Sequence, residues 1–297
     1  MSHMFWVPFV VGVAPLAVLF AILFWQIRVR SLNSKLPLTS HLLRPPGESL
    51  RKKIEILDER FTNQFLLIFI CCVWIGFMCW LGMSSPFPWI PECFAVVGLG
   101  TFVIFAIRLN ATLHLLKDYQ LGFLGERAIG EELNQLLAHG WKVFHDVEFN
   151  ENPSQKPFNV DHVVVGSGGV FAIETKTRRK RVNRHKNDVP NIVTYDGARL
   201  QYPWGTENFG VRQARDGAVH LSGWLTSKLK ETVTVQAVLA LPGWSVSRKA
   251  GGDLSVISGK EIASLFRGEH RKAKISLAMV NAIVALLDQK CRDVGKD

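Results

Sequence analysis

Cysteine is scarce in this chain and poorly placed for bonding. Of the five cysteines, Cys71, Cys72 and Cys79 share one apolar run, Cys93 opens another, and Cys291 lies near the carboxy end. That excludes a disulfide framework, and no Cys/His spacing matches a zinc site. An internal repeat and a glycine-rich nucleotide loop are also missing. Gly166-x-Gly168-Gly169 is followed by no helical pattern, so it reads as a turn and not as a dinucleotide fingerprint. Ser167 has neither a matching base nor a nucleophile elbow around it, which argues against a serine hydrolase. Charge, finally, is nearly absent from residues 5–25, 64–83 and 93–109. No intramembrane charge offers an ion path, which argues against a transporter or channel.

The overall hydrophobic content of 48% is concentrated in those three stretches, and everything after about residue 117 has ordinary globular composition. Each stretch reads as a helix long enough to cross about 30 Å of hydrocarbon. Residues 5–25 do not read as a cleaved signal peptide, because the basic residues follow the apolar run and no small-x-small site stands behind it. Residues 28–62 are rich in Lys and Arg, with a Pro45-Pro46-Gly47 break, whereas residues 84–92 contain neither cation. The positive-inside bias therefore predicts a basic loop on the cytoplasmic side and 84–92 outside. Residues 1–116 form the membrane region in this reading, and residues 117–297 form a cytoplasmic domain on an inner, multi-pass membrane protein. The net charge of +10 suits a polyanion, nucleic acid or anionic lipid.

In the soluble part, Ile129, Leu133, Leu136 and Leu137 repeat at helical spacing over 126–138, with Gly140 as a stop. Strands are expected over 141–149, 160–165, 170–173, 233–241 and 254–257, with 233–241 central because it is apolar throughout. A smaller hairpin is expected over 192–202. Helices are expected over 208–230, after a capping box from Ser258 to Glu261, and over 275–287. The expected architecture is α/β, a mixed sheet flanked by helices.

The informative stretch is FNVDHVVVGSGGVFAIETK, residues 158–176. Two β-branched runs flank Gly166-Ser167-Gly168-Gly169, so a hairpin closes with Val165 opposite Val170, Val163 opposite Ala172 and Asp161 opposite Glu174. Alternation puts Lys176 on the face of Glu174 and turns Phe171 and Ile173 the other way. Two facing carboxylates call for compensation, and carboxylate oxygens suit a hard ion such as Mg²⁺. His162 alternates onto the face opposite Asp161 and reads as a packed residue. His145 and His220 are further histidines to place. The basic residues Arg178, Arg179, Lys180, Arg181, Arg184 and Lys186 follow directly, where they would lie beside a bound phosphate or against anionic headgroups.

Asp161 followed by Glu174-Thr175-Lys176 on the next strand resembles the D…(D/E)-x-K core of restriction-endonuclease-like enzymes. With GERAIGEELNQLL ahead of it, the stretch over about 122–225 resembles the nuclease-related domain family, NERD. The resemblance implies a restriction-endonuclease-like fold preceded by the three spans, and metal-dependent hydrolysis of phosphodiesters, DNA by analogy. Asp161 and Glu174 would hold Mg²⁺ or Mn²⁺, with the Thr175 carbonyl as a third ligand. Lys176 would assist the attacking water or stabilise developing charge. Glu126, on the buried face of its helix, becomes an active-site acid, with Glu131 as the alternative. Gln213 corresponds to the family's glutamine, although NFGVRQ lacks the proline often found after that asparagine. The partners implied are nucleic acid and membrane lipid, and homo-oligomer formation stays open. A non-catalytic membrane adaptor that uses a nuclease-like domain for binding is the competing expectation.

Overall fold

The computed structural model describes residues 42–83, 87, 89–149, 158–180, 191–266 and 274–294. The expected span at 5–25 lies outside the described residues. Leu43–Asp293 form one compact unit.

Two long helices open this unit. α1 (Glu48–Met83) has 36 residues and α2 (Trp89–Asn134) has 46, so they run about 54 Å and about 69 Å. Both are long and apolar enough to cross a membrane, and almost nothing in their apolar windows is buried. Trp74 is 58% exposed and Val96 72%, which an aqueous surface would not favour over such a length. They pack on one another, with Thr112 Oγ1 3.0 Å from Gln64 Oε1 and Gly98 against the Ile75 side chain.

The sequence pattern suggests a break between a membrane span and a separate helix over 126–138. α2 instead runs unbroken to Asn134, then tightens into a 3₁₀ turn over Gln135–His139 that Gly140 closes at φ +85. Nothing between residues 108 and 126 stops a helix, since Gly122 and Gly125 only lower its propensity. The expected basic loop likewise contains the start of α1, because the helix begins at Glu48, directly after Gly47 turns the chain at φ +76. Leu137, expected on the buried stripe, is half exposed, as the tighter turn rotates it outward.

The central sheet has five strands, β1 (Lys142–Phe149), β2 (Phe158–Gly166), β3 (Gly169–Thr175), β7 (Val235–Leu241) and β9 (Leu254–Ser258), in the order β9-β7-β3-β2-β1. β1, β2 and β3 are antiparallel, whereas β3, β7 and β9 are parallel, so the sheet is mixed. The middle position belongs to β3. Val233 is held instead by α3 (Phe209–Leu229), its N–H donating to Thr226 Oγ1, so β7 starts later than its apolar run.

Alternation along the hairpin sorts the core. Val163, Val165 and Ala172 pack with Leu221 and Leu225 of α3. Val164, Phe171 and Ile173 pack with Ile129 and Leu133 of α2. Helices therefore cover both faces. The hairpin register is the expected one, Val165↔Val170 and Val163↔Ala172, but Gly166 also pairs with Gly169 and leaves a two-residue Ser167-Gly168 turn. Of the turn's glycines only Gly169 takes a positive φ, +129.

Between β3 and β7 the chain inserts β4 (Ile192–Tyr195), β5 (Leu200–Tyr202) and β6 (Gly205–Glu207), and β8 (Ser245–Arg248), which follows β7, joins them in a small sheet of order β6-β5-β4-β8. Asp196 closes its hairpin by accepting the N–H groups of Ala198 and Arg199. After β9 come the capping box on Ser258 and Glu261, the short α4 (Ile262–Leu265), and α5 (Leu277–Cys291), which packs under β1.

Candidate active site

The β2–β3 ladder ends at His162↔Ile173. One residue further on, Asp161 takes over from the ladder, Oδ2 accepting the Thr175 N–H at 2.8 Å. The backbone of Lys176 has by then turned to β7, donating to the Ala240 carbonyl at 3.0 Å. The strands part here, and the side chains of Asp161, Glu174 and Lys176 fill the opening. Lys176 Nζ lies 2.6 Å from Glu174 Oε1, a charge contact off the angles of a directed hydrogen bond. Gly210, early in α3, makes room for the lysine stem: a Cβ there would stand 2.9 Å from Lys176 Cγ.

Two further elements bring side chains to the same place. α2 supplies Glu126, and α3 supplies Gln213, which hydrogen-bonds Glu174. Glu126, Asp161 and Glu174 are 7%, 6% and 5% exposed, so three carboxyl groups stand together largely out of water. Glu126 Oε2 has no hydrogen-bond partner.

Burial, then the charges of Asp161, Asp146 and Glu174, hold Glu126 well above the ordinary carboxyl range. Burial and Asp161 raise Glu174, against the pull of Lys176 and Gln213. Burial raises Asp161, less strongly, because Lys176 and the Thr175 N–H oppose it. Burial also acts to lower Lys176, but Glu174 and Asp161 outweigh it and the ammonium is retained above its usual pKa.

Of these groups Glu126 and Asp161, together with Gln213, line a cleft of about 660 Å³. Its other wall was not legible in the sequence, for it is the start of α1, with Ser49, Leu50 and Lys53. A fully buried Asp146, in the left-handed region at φ +52, makes the join. Its Oδ2 accepts the Ser49 N–H at 2.6 Å, its Oδ1 accepts Asn159 Nδ2 at 2.7 Å, and its carbonyl accepts Arg44 Nη1 at 2.8 Å. Pro46 packs against Gly130 of α2, where any side chain would collide. The only sequence signals for this were the Pro-Pro-Gly break and an Asp inside a strand.

Glu131 does not reach the cleft; it pairs on the surface with Arg127 at 3.3 Å. Among the basic residues, Arg178 forks onto Glu207 at 3.1 Å and Arg179 donates to the Lys117 carbonyl at 2.8 Å. Lys180 lies by Gly243 at a second cleft. Arg181, Arg184 and Lys186 lie outside the described residues. His162 is buried on the opposite face of the sheet, Nδ1 2.9 Å from His145 Nδ1, whereas His220 lines the cleft beside Glu126 and Asp161.

Residues 121–242 match the nuclease-related domain, NERD. No curated protein and no solved structure matches the chain. The nuclease-related domain contains Glu126, Asp161, Glu174, Lys176 and Gln213, so the residues gathered at the cleft floor all fall inside the match, and the match points to a nuclease-like function. Ser49 and Lys53 fall outside it.

The donor set at this floor is oxygen only, with an orphaned Glu126 oxygen, which suits a hard divalent ion. Among the described residues no three His, Cys, Asp or Glu side chains stand together as a ready-made metal cage. A site of the Mg²⁺ kind, built on one or two carboxylates, waters and substrate phosphate, needs none.

Proposed function

We propose that this protein is a membrane-anchored nuclease with a restriction-endonuclease-like core of the PD-(D/E)XK type, cleaving phosphodiester bonds, chiefly of DNA, with Mg²⁺ or Mn²⁺. The observation that carries the reading is the convergence of Asp161, Glu174 and Lys176 with Gln213 and Glu126 where β2 and β3 part. Strand order β9-β7-β3-β2-β1, antiparallel on one side and parallel on the other, supports the fold assignment.

Asp161 and Glu174 would hold the ion, with the Thr175 carbonyl beside them. The bound ion would polarise the phosphoryl oxygen and lower the pKa of an attacking water. Lys176 presents an ammonium to charge developing on the phosphate. Gln213 fixes the carboxyl of Glu174, and Glu126 holds a proton at the cleft floor. In this reading the apolar helices anchor the chain in an inner membrane, and the charge asymmetry of the loops supports a cleft on the cytoplasmic side. Arg179 and Lys180, with the neighbouring cations, add sequence-independent affinity for phosphate or headgroups.

The test is DNA cleavage by the full chain in detergent micelles, with Mg²⁺ titrated into wild type, Asp161→Asn and Lys176→Ala. Asp161→Asn is expected to lose metal binding by calorimetry together with cleavage. Lys176→Ala should bind the metal and turn over about 100-fold or more slowly. Full cleavage by both folded variants would remove catalysis from Asp161 and Lys176, and metal-stimulated cleavage by neither them nor wild type would replace the nuclease with a binding adaptor.

A further inference from the structure

Several aromatic rings at the cleft are not accounted for by phosphodiester chemistry. Phe209, the first residue of α3, is 56% exposed although it shares the cleft lining with the buried carboxyl groups of Glu126 and Asp161, and the Lys176 ammonium lies 5.5 Å from its ring. Phe158 and His220 stack with centroids 4.6 Å apart and planes 29° apart, and both line the same cleft. Two cations stand among them, Lys53 on α1 and Arg212 on α3, neither ion-paired to a carboxylate among the described residues. Arg212 is one turn beyond Phe209 on the same helix face. Asp216, one turn further, is the one exposed acid on this lining.

We infer that the cleft takes an unpaired nucleic-acid strand, with Phe209 as the ring on which a base stacks and Lys53 and Arg212 as the phosphate contacts on the facing walls. The inference rests on the nuclease reading for the identity of the floor, and it adds the substrate class. In a duplex the bases already cover one another and present only their edges, so an exposed phenyl ring gains nothing from them. An unstacked base offers its face, and an aromatic platform beside a cationic groove is how single strands are held. Volume agrees. A cleft of about 660 Å³ is of the size that encloses one small-molecule ligand, a nucleotide or two, and the Glu126 and Asp161 carboxyl groups of its lining are buried. Lys53 comes from the helix that continues into the apolar run, so the membrane region supplies one wall of the binding site.

Fluorescence anisotropy tests this on the full chain in detergent micelles, with Ca²⁺ replacing Mg²⁺, using a labelled single-stranded 12-mer, the RNA of the same sequence and the blunt DNA duplex. Binding of either single strand at least about tenfold tighter than the duplex is expected. Phe209→Ala should weaken it about 5- to 150-fold, the range for one stacked base, while Phe209→Tyr restores it. Lys53→Gln should lower the slope of log affinity against log salt by about 0.7, one phosphate contact on a single strand. Duplex binding as tight as single-strand binding, no binding of any of the three, or a folded Phe209→Ala with unchanged affinity overturns the inference. Cleavage that disappears in Asp161→Asn without any single-strand preference would keep the nuclease reading and remove this one. A Phe209-dependent preference in a chain that cuts nothing would do the reverse.

Discussion

Replacing Glu126 with Gln should stabilise the protein, and by an amount that depends on pH. Glu126 is the carboxyl with the least help: burial, then Asp161, Asp146 and Glu174, push it up to about 10, and Oε2 finds no partner. In the unfolded chain the same group titrates near the ordinary glutamate value of about 4.3. Between those values the folded state holds a proton that the unfolded state releases. Stability from this group is fully present below about pH 4.3 and falls as pH rises, by up to about 1.4 kcal/mol per pH unit. From pH 5 to pH 8 the limit is about 4 kcal/mol, and local opening that admits water to the cleft reduces it to about 2–4 kcal/mol. Gln has the shape of protonated Glu and no proton to lose. Urea unfolding of the full chain in micelles with EDTA, followed by tryptophan fluorescence, should therefore show Glu126→Gln ahead by at most about 1 kcal/mol at pH 5 and by clearly more at pH 8. A wild type that grows more stable from pH 5 to pH 8 refutes the reasoning. So does a variant weakened equally at both pH values, which would make Glu126 an ionised structural partner.

Arg44→Ala removes the guanidinium that donates to the Asp146 carbonyl and stands 3.3 Å from Glu148, a mostly buried contact worth about 1.5–3 kcal/mol. The urea midpoint should drop accordingly; a loss under about 0.5 kcal/mol, the size of an ordinary surface change, would mean that Pro46 and Ser49 hold α1 in place without it. A reporter active only in the cytoplasm, fused after Asp297, should be active, and the same fusion to a reporter that works only in the periplasm should be silent. The opposite pair of results would invert the topology.

Much of the hairpin was determined by local chemistry. Glycines flanked by β-branched runs permit one register, the period of two then assigns every side chain to a face, and Asp161, Glu174 and Lys176 fall together without reference to any other part of the chain. The apolar runs were equally self-contained, since length and missing charge suffice to mark α1 and α2 as able to cross a membrane. Glu126 and Gln213 were legible only through resemblance, because nothing within a helix reveals which of its polar residues faces a strand far away in sequence.

Tertiary structure alone decided the rest. That α2 is continuous from its apolar run to Asn134, carrying Glu126 about 28 Å of helix beyond Ile107, depends on packing overriding two weak glycines. That Ser49 and Lys53 wall the cleft depends on Asp146, 97 residues from Ser49, accepting its N–H in a backbone conformation that local sequence does not favour. The sheet period could say that two carboxylates face each other. How far burial raises them, and which cations and rings stand opposite, required every element that closes over them, because desolvation and charge act through space and not along the chain.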